Sequence, residues 1–198
     1  MTEFEKSMCG LPHIFNEEMM LLSKNAGILA HKYNQTDEDD EAGRRDILSK
    51  LLKQIGDNVV IVPDFNCEYG MNITIGNDVF INANCMLMDN AEISIGDQVL
   101  FGPNVSLYTV NHSIDPDERT AGYCITKPIH IGNRVWLSGD VKITAGVTIG
   151  DDSVIGAGSV VTKSIPSGVI AAGNPCRVIR KIAESDKLCL RNAEKQHR

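Results

Sequence analysis

Long apolar runs are missing from this sequence: no stretch approaches the roughly 18 residues that a bilayer-crossing helix requires, so no transmembrane helix is expected. The first ten residues, MTEFEKSMCG, carry acidic side chains and no apolar core, the wrong composition for a secretory signal. Paired cysteines are missing too. Cys9, Cys67, Cys85, Cys124, Cys176 and Cys189 lie far apart with no C-x-x-C pair. In a chain expected to be cytoplasmic they read as reduced and mostly structural. Positive charge is in deficit: 19 Lys and Arg against 26 Asp and Glu leave a net charge of −7, which argues against a broad nucleic-acid surface. Aromatic residues make up only 5% of the chain, with a single Trp. What is present, 42% hydrophobic and 23% charged residues in 198, fits one globular domain, or one with a small appendage.

A repeat accounts for the scarcity of large rings. Ile75, Ile81 and Leu87 are six apart, and Ile95, Phe101 and Leu107 resume the spacing after a two-residue slip. Ile131, Leu137, Ile143, Ile149, Ile155 and Val161 then hold it without a break. The following position is often glycine: Gly76, Gly96, Gly102, Gly132, Gly150 and Gly156. Four positions after the aliphatic residue comes a small or β-branched one: Val79, Cys85, Val99, Val105, Val135, Val141, Val147, Ser153 and Ser159. This is the hexapeptide signature of a parallel β-helix. Each hexapeptide gives a short strand and a turn, and three close a triangular coil. The aliphatic residue points inward and stacks on its equivalent about 18 residues away, while the small residue keeps the narrow interior from overfilling. The glycines are expected to supply positive φ at the corners. Chance Ile-Gly pairs in an α/β domain do not explain six consecutive aliphatic residues in register from Ile131 to Val161.

Outside the repeat, Phe15, Met19, Leu22, Ala26, Leu29 and Tyr33 recur at helical spacing, followed by Ile47, Leu48, Leu51, Leu52 and Ile55. Thr36, with Asp39 as capping-box partner, is expected to cap the second helix, and Gly56 and Asn58 to end it. The acidic run Asp37 to Glu41 reads as solvated and not as a metal site. The expected organisation is a helical segment over 1–57, the β-helix over 58–182 and a charged tail over 183–198. Between Leu107 and Ile131 the sixfold register fails, so an extruded loop is expected over 108–130. Asn111-His112-Ser113 stands at its foot. From the residues alone, His112 fits a surface turn and a functional site equally.

Several stretches narrow the reading: YGMNITIG (69–76), IGDQVLFGPNVSL (95–107), NHS (111–113), IGNRVW (131–136), VTIGDDSVIGAGSVVTKSIP (147–166) and AAGNPCRVIRKI (171–182). Together with the N-terminal MCGLP, they make nearly the whole chain resemble the maltose and galactoside O-acetyltransferases, a branch of the hexapeptide-repeat acyltransferases. The resemblance implies a left-handed coil, acetyl-CoA as donor, a hydroxyl (usually on a sugar) as acceptor, and a homotrimer with active sites between subunits. It matches His112 to the catalytic histidine, a general base for a poorly nucleophilic hydroxyl. On the acceptor side it points to Asn82, to Asn90 and Glu68 where galactoside-type members have an aspartate and a serine, and to Cys124 where they have a methionine. Ser7 takes the place of an N-terminal aspartate. Gly139, Ala157, Thr162 and Lys163 match positions along the coenzyme A path, and Arg177 and Arg180 positions near its phosphates. Trp136 matches a position near that path, and plain packing accounts for it as well.

Other readings of the same coil can be weighed. A γ-type carbonic anhydrase needs three histidine zinc ligands, and only His112 and His130 lie within the repeat, with His13, His31 and His197 outside it. No metal is expected. An O-acetyltransferase acting on streptogramin or chloramphenicol would use similar chemistry, but the N-terminal helices argue against it. A non-catalytic assembly protein would need neither the NHS nor the set of Lys163, Arg177 and Arg180.

Overall fold

The computed structural model describes residues 1–188; the rest of the expected tail, with Cys189 and His197, lies outside the described residues. Helix α1, Glu3–Met8, begins with a capping box: the Thr2 hydroxyl accepts the Glu5 N–H and the Glu5 carboxylate accepts the Thr2 N–H. Helix α2, Glu17–Gln35, is capped by Asn16 and buries Met19, Ala26, Ala30 and Tyr33. Helix α3, Glu41–Leu51, is capped by Asp40, whose carboxylate accepts the Gly43 N–H at 2.9 Å. The expected cap, Thr36, instead closes α2 by donating to Lys32 O at 2.7 Å. Helix α3 also stops short of Gly56, because Gln54–Ile55 is already a strand paired in parallel with Thr74–Ile75. The coil therefore begins a few residues before 58.

Three parallel sheets form a triangular prism. The first face stacks Gln54–Ile55, Ile73–Ile75, Ile93–Ile95, Ile129–Ile131 and Thr148–Ile149. The second stacks Val60–Ile61, Phe80–Ile81, Leu100–Phe101, Trp136–Leu137, Val154–Ile155 and Val169–Ala172, with Arg177–Lys181 added antiparallel. The third stacks Phe65–Cys67, Cys85–Met88, Ser106–Tyr108, Lys142–Ile143 and Val160–Val161. All twelve aliphatic and aromatic residues of the sixfold series are inside, none more than 3% exposed, and the nine small residues with them. Leu137 pairs with Ile155, and Ile143 with Val161, at the expected spacing of 18. The two-residue slip and the insertion lengthen it elsewhere, as between Leu87 and Leu107 and between Leu107 and Ile143.

The repeat glycines play a different part from the expected one. None of the six has a positive φ. Positive φ falls two residues later, at Asp78, Gln98, Asn104, Arg134, Asp152 and Gly158. Four of these are Asn, Asp or Gly, whose short side chain or missing β-carbon suits the left-handed region. The glycines serve close approach: a Cβ at Gly96 would lie 2.6 Å from Asn133 Oδ1 and 2.8 Å from the carbonyl carbon of Gly132 in the coil above.

The extruded segment is ordered. Val110–His112 and Tyr123–Thr126 form an antiparallel pair joined through helix α4, Pro116–Thr120, and His13–Ile14 from the N-terminal segment adds a third strand. Among the described residues, no helix is long and apolar enough to cross a membrane.

Candidate active site

The site is built on the edge between the third and first faces, where the extruded sheet leaves the prism. His112 ends the strand Val110–His112 and is exposed. Cys124 lies directly opposite it in register, and His13 lies opposite Cys124 on the other side. Cross-strand partners share a face, so the three side chains form a row. Cys124 Sγ is 3.3 Å from His112 Nδ1 and 3.6 Å from Gly122 O. Burial pushes the Cys124 thiol above its ordinary pKa, which keeps it protonated. His13 is buried and turns its Nδ1 to Leu11 O at 3.0 Å. Cys124 also lines a small cavity with Pro12, Ser113, Glu118, Tyr123 and Ile125.

Below the extruded sheet, the two-residue slips at 68–72 and 88–92 enlarge the same edge. Asp89, fully buried, accepts backbone N–H groups from Glu68 at 3.0 Å, Tyr69 at 2.8 Å and Asn72 at 3.2 Å. Its pKa is raised: burial outweighs the backbone hydrogen bonds, which favour the anion. The next residue, Asn90, donates its amide weakly to the Tyr69 hydroxyl at 3.4 Å, while Asn90 Oδ1 is buried with no partner. Phe4 of α1 packs edge-on against the Tyr69 ring, with centroids 5.8 Å apart. Ser7 is fully buried and donates to Asn90 O at 2.9 Å, while Ser7 O accepts the Thr126 hydroxyl. Ser7 thus pins α1 over the site instead of offering a free polar group to a ligand. Burial raises the Glu68 pKa, against an opposing influence from Ser23 of α2.

The remaining expected residues divide between two edges. Thr162 and Lys163 follow Val160–Val161 and so share the third–first edge with His112, Cys124, Asn90 and Glu68. Asn82, Gly139 and Ala157 lie on the second–third edge, where Asn104 N donates to Ala83 O, Asp140 N to Pro103 O and Gly158 N to Gly139 O. That ladder stacks Ala83, Pro103, Gly139 and Ala157 into a column of small residues. Asn82 Oδ1 accepts the Ala83 N–H at 2.8 Å within its own turn. One prism therefore does not bring the two groups together. Arg177 and Arg180 are exposed on the last strand of the second face, and Arg180 is already engaged by both carboxylate oxygens of Asp186 at 2.6 Å. Trp136 is half exposed on the outside of that face, not in the core. Among the described residues no group of three or more His, Cys, Asp or Glu side chains is arranged to hold a metal.

Tyr69 and Asp89 were not expected here. Their one signal was the two-residue slip in the repeat, which marks where the coil bulges.

Comparison with known proteins agrees with this architecture. A family model for bacterial transferase hexapeptide (six repeats) matches residues 128–163, and one for the maltose acetyltransferase hexapeptide capping motif matches residues 6–56. A putative acetyltransferase of Saccharomyces cerevisiae is 44% identical over 172 residues, 87% of this chain and 88% of that one. The galactoside O-acetyltransferase of Escherichia coli is 42% identical over 159 residues, 80% of this chain and 78% of that one. Among solved structures, a maltose O-acetyltransferase from Clostridium difficile superposes with a TM-score of 0.91 at 43% identity, covering 93% of this chain and 99% of that one. A galactoside acetyltransferase in complex with coenzyme A gives 0.90 at 37% identity, with 94% of each chain covered.

Proposed function

This chain belongs to the hexapeptide-repeat acetyltransferases that carry the maltose acetyltransferase capping motif, and from that membership we propose that it transfers acetyl from acetyl-CoA to a hydroxyl of a sugar of the maltose or galactoside type. The observation that carries this reading is an exposed imidazole, His112, on the same edge as a buried and unpartnered amide oxygen, Asn90 Oδ1. The acceptor hydroxyl gives its proton to the neutral imidazole as its oxygen attacks the thioester carbonyl carbon. The tetrahedral intermediate collapses, the carbon–sulfur bond breaks, and the departing coenzyme A thiolate takes the proton back. No acyl-enzyme is needed, because holding both substrates in one cleft supplies much of the acceleration. Asn90 Oδ1 accepts an acceptor hydroxyl, with Glu68 beside it on the same edge and Asn82 supplied from a neighbouring subunit's second–third edge. Gly139 and Ala157 give the pantetheine arm a smooth edge, and Thr162, Lys163, Arg177 and Arg180 face its polar end. Local cations are required if an acidic protein is to hold an anionic coenzyme.

The active unit in this reading is a homotrimer. The outward side chains of the second face form a ladder in register: Val60, Phe80, Leu100, Trp136, Val154 and Ile170. Val60, Leu100 and Trp136 are each at least 50% exposed in the single chain. A contiguous apolar ladder of this kind is an association surface, and closed threefold packing sets one subunit's third–first edge against a neighbour's second–third edge. Free thiols at the five described cysteines fit a reducing, cytoplasmic setting.

The test is coenzyme A release from acetyl-CoA over maltose, glucose, a thiogalactoside, chloramphenicol and a streptogramin, with wild type beside His112→Ala. Sugar-dependent release that falls at least about a hundredfold in the variant is the expected result. Release on an antibiotic alone would move the acceptor to that class. Absence of coenzyme A binding would overturn the reading.

A further inference from the structure

Resting on that reading of His112, we propose that Cys124 is a positioning residue: its sulfur accepts the Nδ1–H of His112 while its own hydrogen goes to Gly122 O, which leaves the Nε2 lone pair free to take the acceptor's proton.

The register places the pair. His112 and Cys124 face each other across neighbouring strands, so neither side chain needs to reach, and the sulfur stands 3.3 Å from Nδ1. The thiol has one hydrogen and two neighbours able to accept it, Nδ1 and Gly122 O. A neutral imidazole carries a single N–H, and the hydrogen bond made by one nitrogen decides which nitrogen carries it. With the thiol hydrogen on Gly122 O, the sulfur lone pair faces Nδ1, the ring proton sits on Nδ1, and Nε2 is the base. With the thiol hydrogen on Nδ1, the ring proton moves to Nε2 and the outward nitrogen cannot accept a proton. The first arrangement satisfies the carbonyl, the thiol and the ring together. The rest of the row does not compete for the sulfur, because His13 is engaged by Leu11 O. Ser113, the next residue along the chain, is tied to the Glu118 carboxylate. A thiol buried beside a histidine is thus an orienting group here and not a nucleophile, since its protonated form is the one that makes both contacts.

The experiment is nitrogen NMR of histidine-labelled protein at neutral pH, with the His112 signals identified by their loss in His112→Ala, alongside steady-state kinetics of Cys124→Ala and Cys124→Ser. In the wild type, His112 is expected to carry its proton on Nδ1. In Cys124→Ala that proton moves largely to Nε2, and kcat falls about tenfold, a part of what a general base contributes. Both KM values stay within about twofold, because substrate binding is untouched. Cys124→Ser, whose hydroxyl also accepts and donates, keeps the wild-type tautomer and most of kcat. A wild-type spectrum with the proton on Nε2 overturns the proposal without any variant. So does a Cys124→Ala enzyme with unchanged kcat, and so does one whose only defect is a raised acceptor KM, which would make Cys124 an acceptor contact. If His112→Ala retains full activity, the reading of His112 as base fails instead, and the two failures are told apart in one set of assays.

Discussion

Arg180 poses the most direct question at the level of single residues. Its guanidinium is held by both oxygens of Asp186, and that contact keeps the Asp186 carboxyl at about 2. The folded value lies below the roughly 3.9 of an unfolded aspartate, so whatever the pair contributes is present at neutral pH and is lost as the pH falls from about 4 to about 2. The pair is exposed and its effect on stability is small. If Arg180 binds the coenzyme phosphates as proposed, its effect there is larger, since a phosphate must compete with a carboxylate for the same fork. Asp186→Ala is therefore expected to tighten coenzyme A binding by about threefold, with a steeper loss in salt, measured by titration calorimetry. An unchanged dissociation constant would place Arg180 away from the phosphates. Asp89 is the opposite case, a buried acid whose whole duty is local. Asp89→Ala strands three backbone donors and is expected to cost at least about 2 kcal/mol in urea unfolding.

Individual elements show why glycine recurs in the coil. At Gly96 an added methyl group would meet backbone of the next coil, at Gly132, which cannot move aside. Gly96→Ala is expected to destabilise the protein by about 2 kcal/mol through overpacking. Gly27, in the middle of α2, has nothing within 4 Å of an added Cβ. Gly27→Ala is expected to stabilise by about 0.5–1 kcal/mol. Thermal or urea unfolding of the two variants distinguishes a packing glycine from a merely flexible one. Equal effects at both sites would refute the close-approach account. The extruded segment follows a third logic, because its strands pair antiparallel to each other and to His13–Ile14, so its order depends on the N-terminal segment.

At the scale of the whole molecule, it is the proposed trimer that would join these parts. His112 and the column of Gly139 and Ala157 occupy different edges of one prism, and an apolar ladder is left uncovered on the second face. Leu100→Glu, at the centre of that ladder, is expected to shift the sedimenting species from about three times the 21.6 kDa chain to one. The folded coil should survive by circular dichroism while acetyl transfer is lost. A dissociated chain that keeps full activity would show that one prism holds a complete site.

Much of this protein could be read along the chain. The sixfold series predicted the inward residues it contains and the place where it breaks, because a solenoid contact recurs at a fixed separation and so leaves a period in the sequence. It did not contain Phe65, Ile73, Ile93 or Ile129, which are buried in the coil as well. Helices α2 and α3 were visible through their own period, though the cap of α3 was misplaced: Asp40, not Thr36, satisfies its free N–H groups. Neither the glycines' true role nor the site followed from any period. Thr126 meets Ser7 across 119 residues, Cys124 meets His112 across an antiparallel turn, and Asn90 Oδ1 is left unpartnered by a bulge in the coil. Contacts of that kind have no fixed spacing, so the sequence alone determined the prism, and only the closing of N-terminal segment, extruded sheet and slipped corner onto one edge decided which of its side chains stand together at the candidate site.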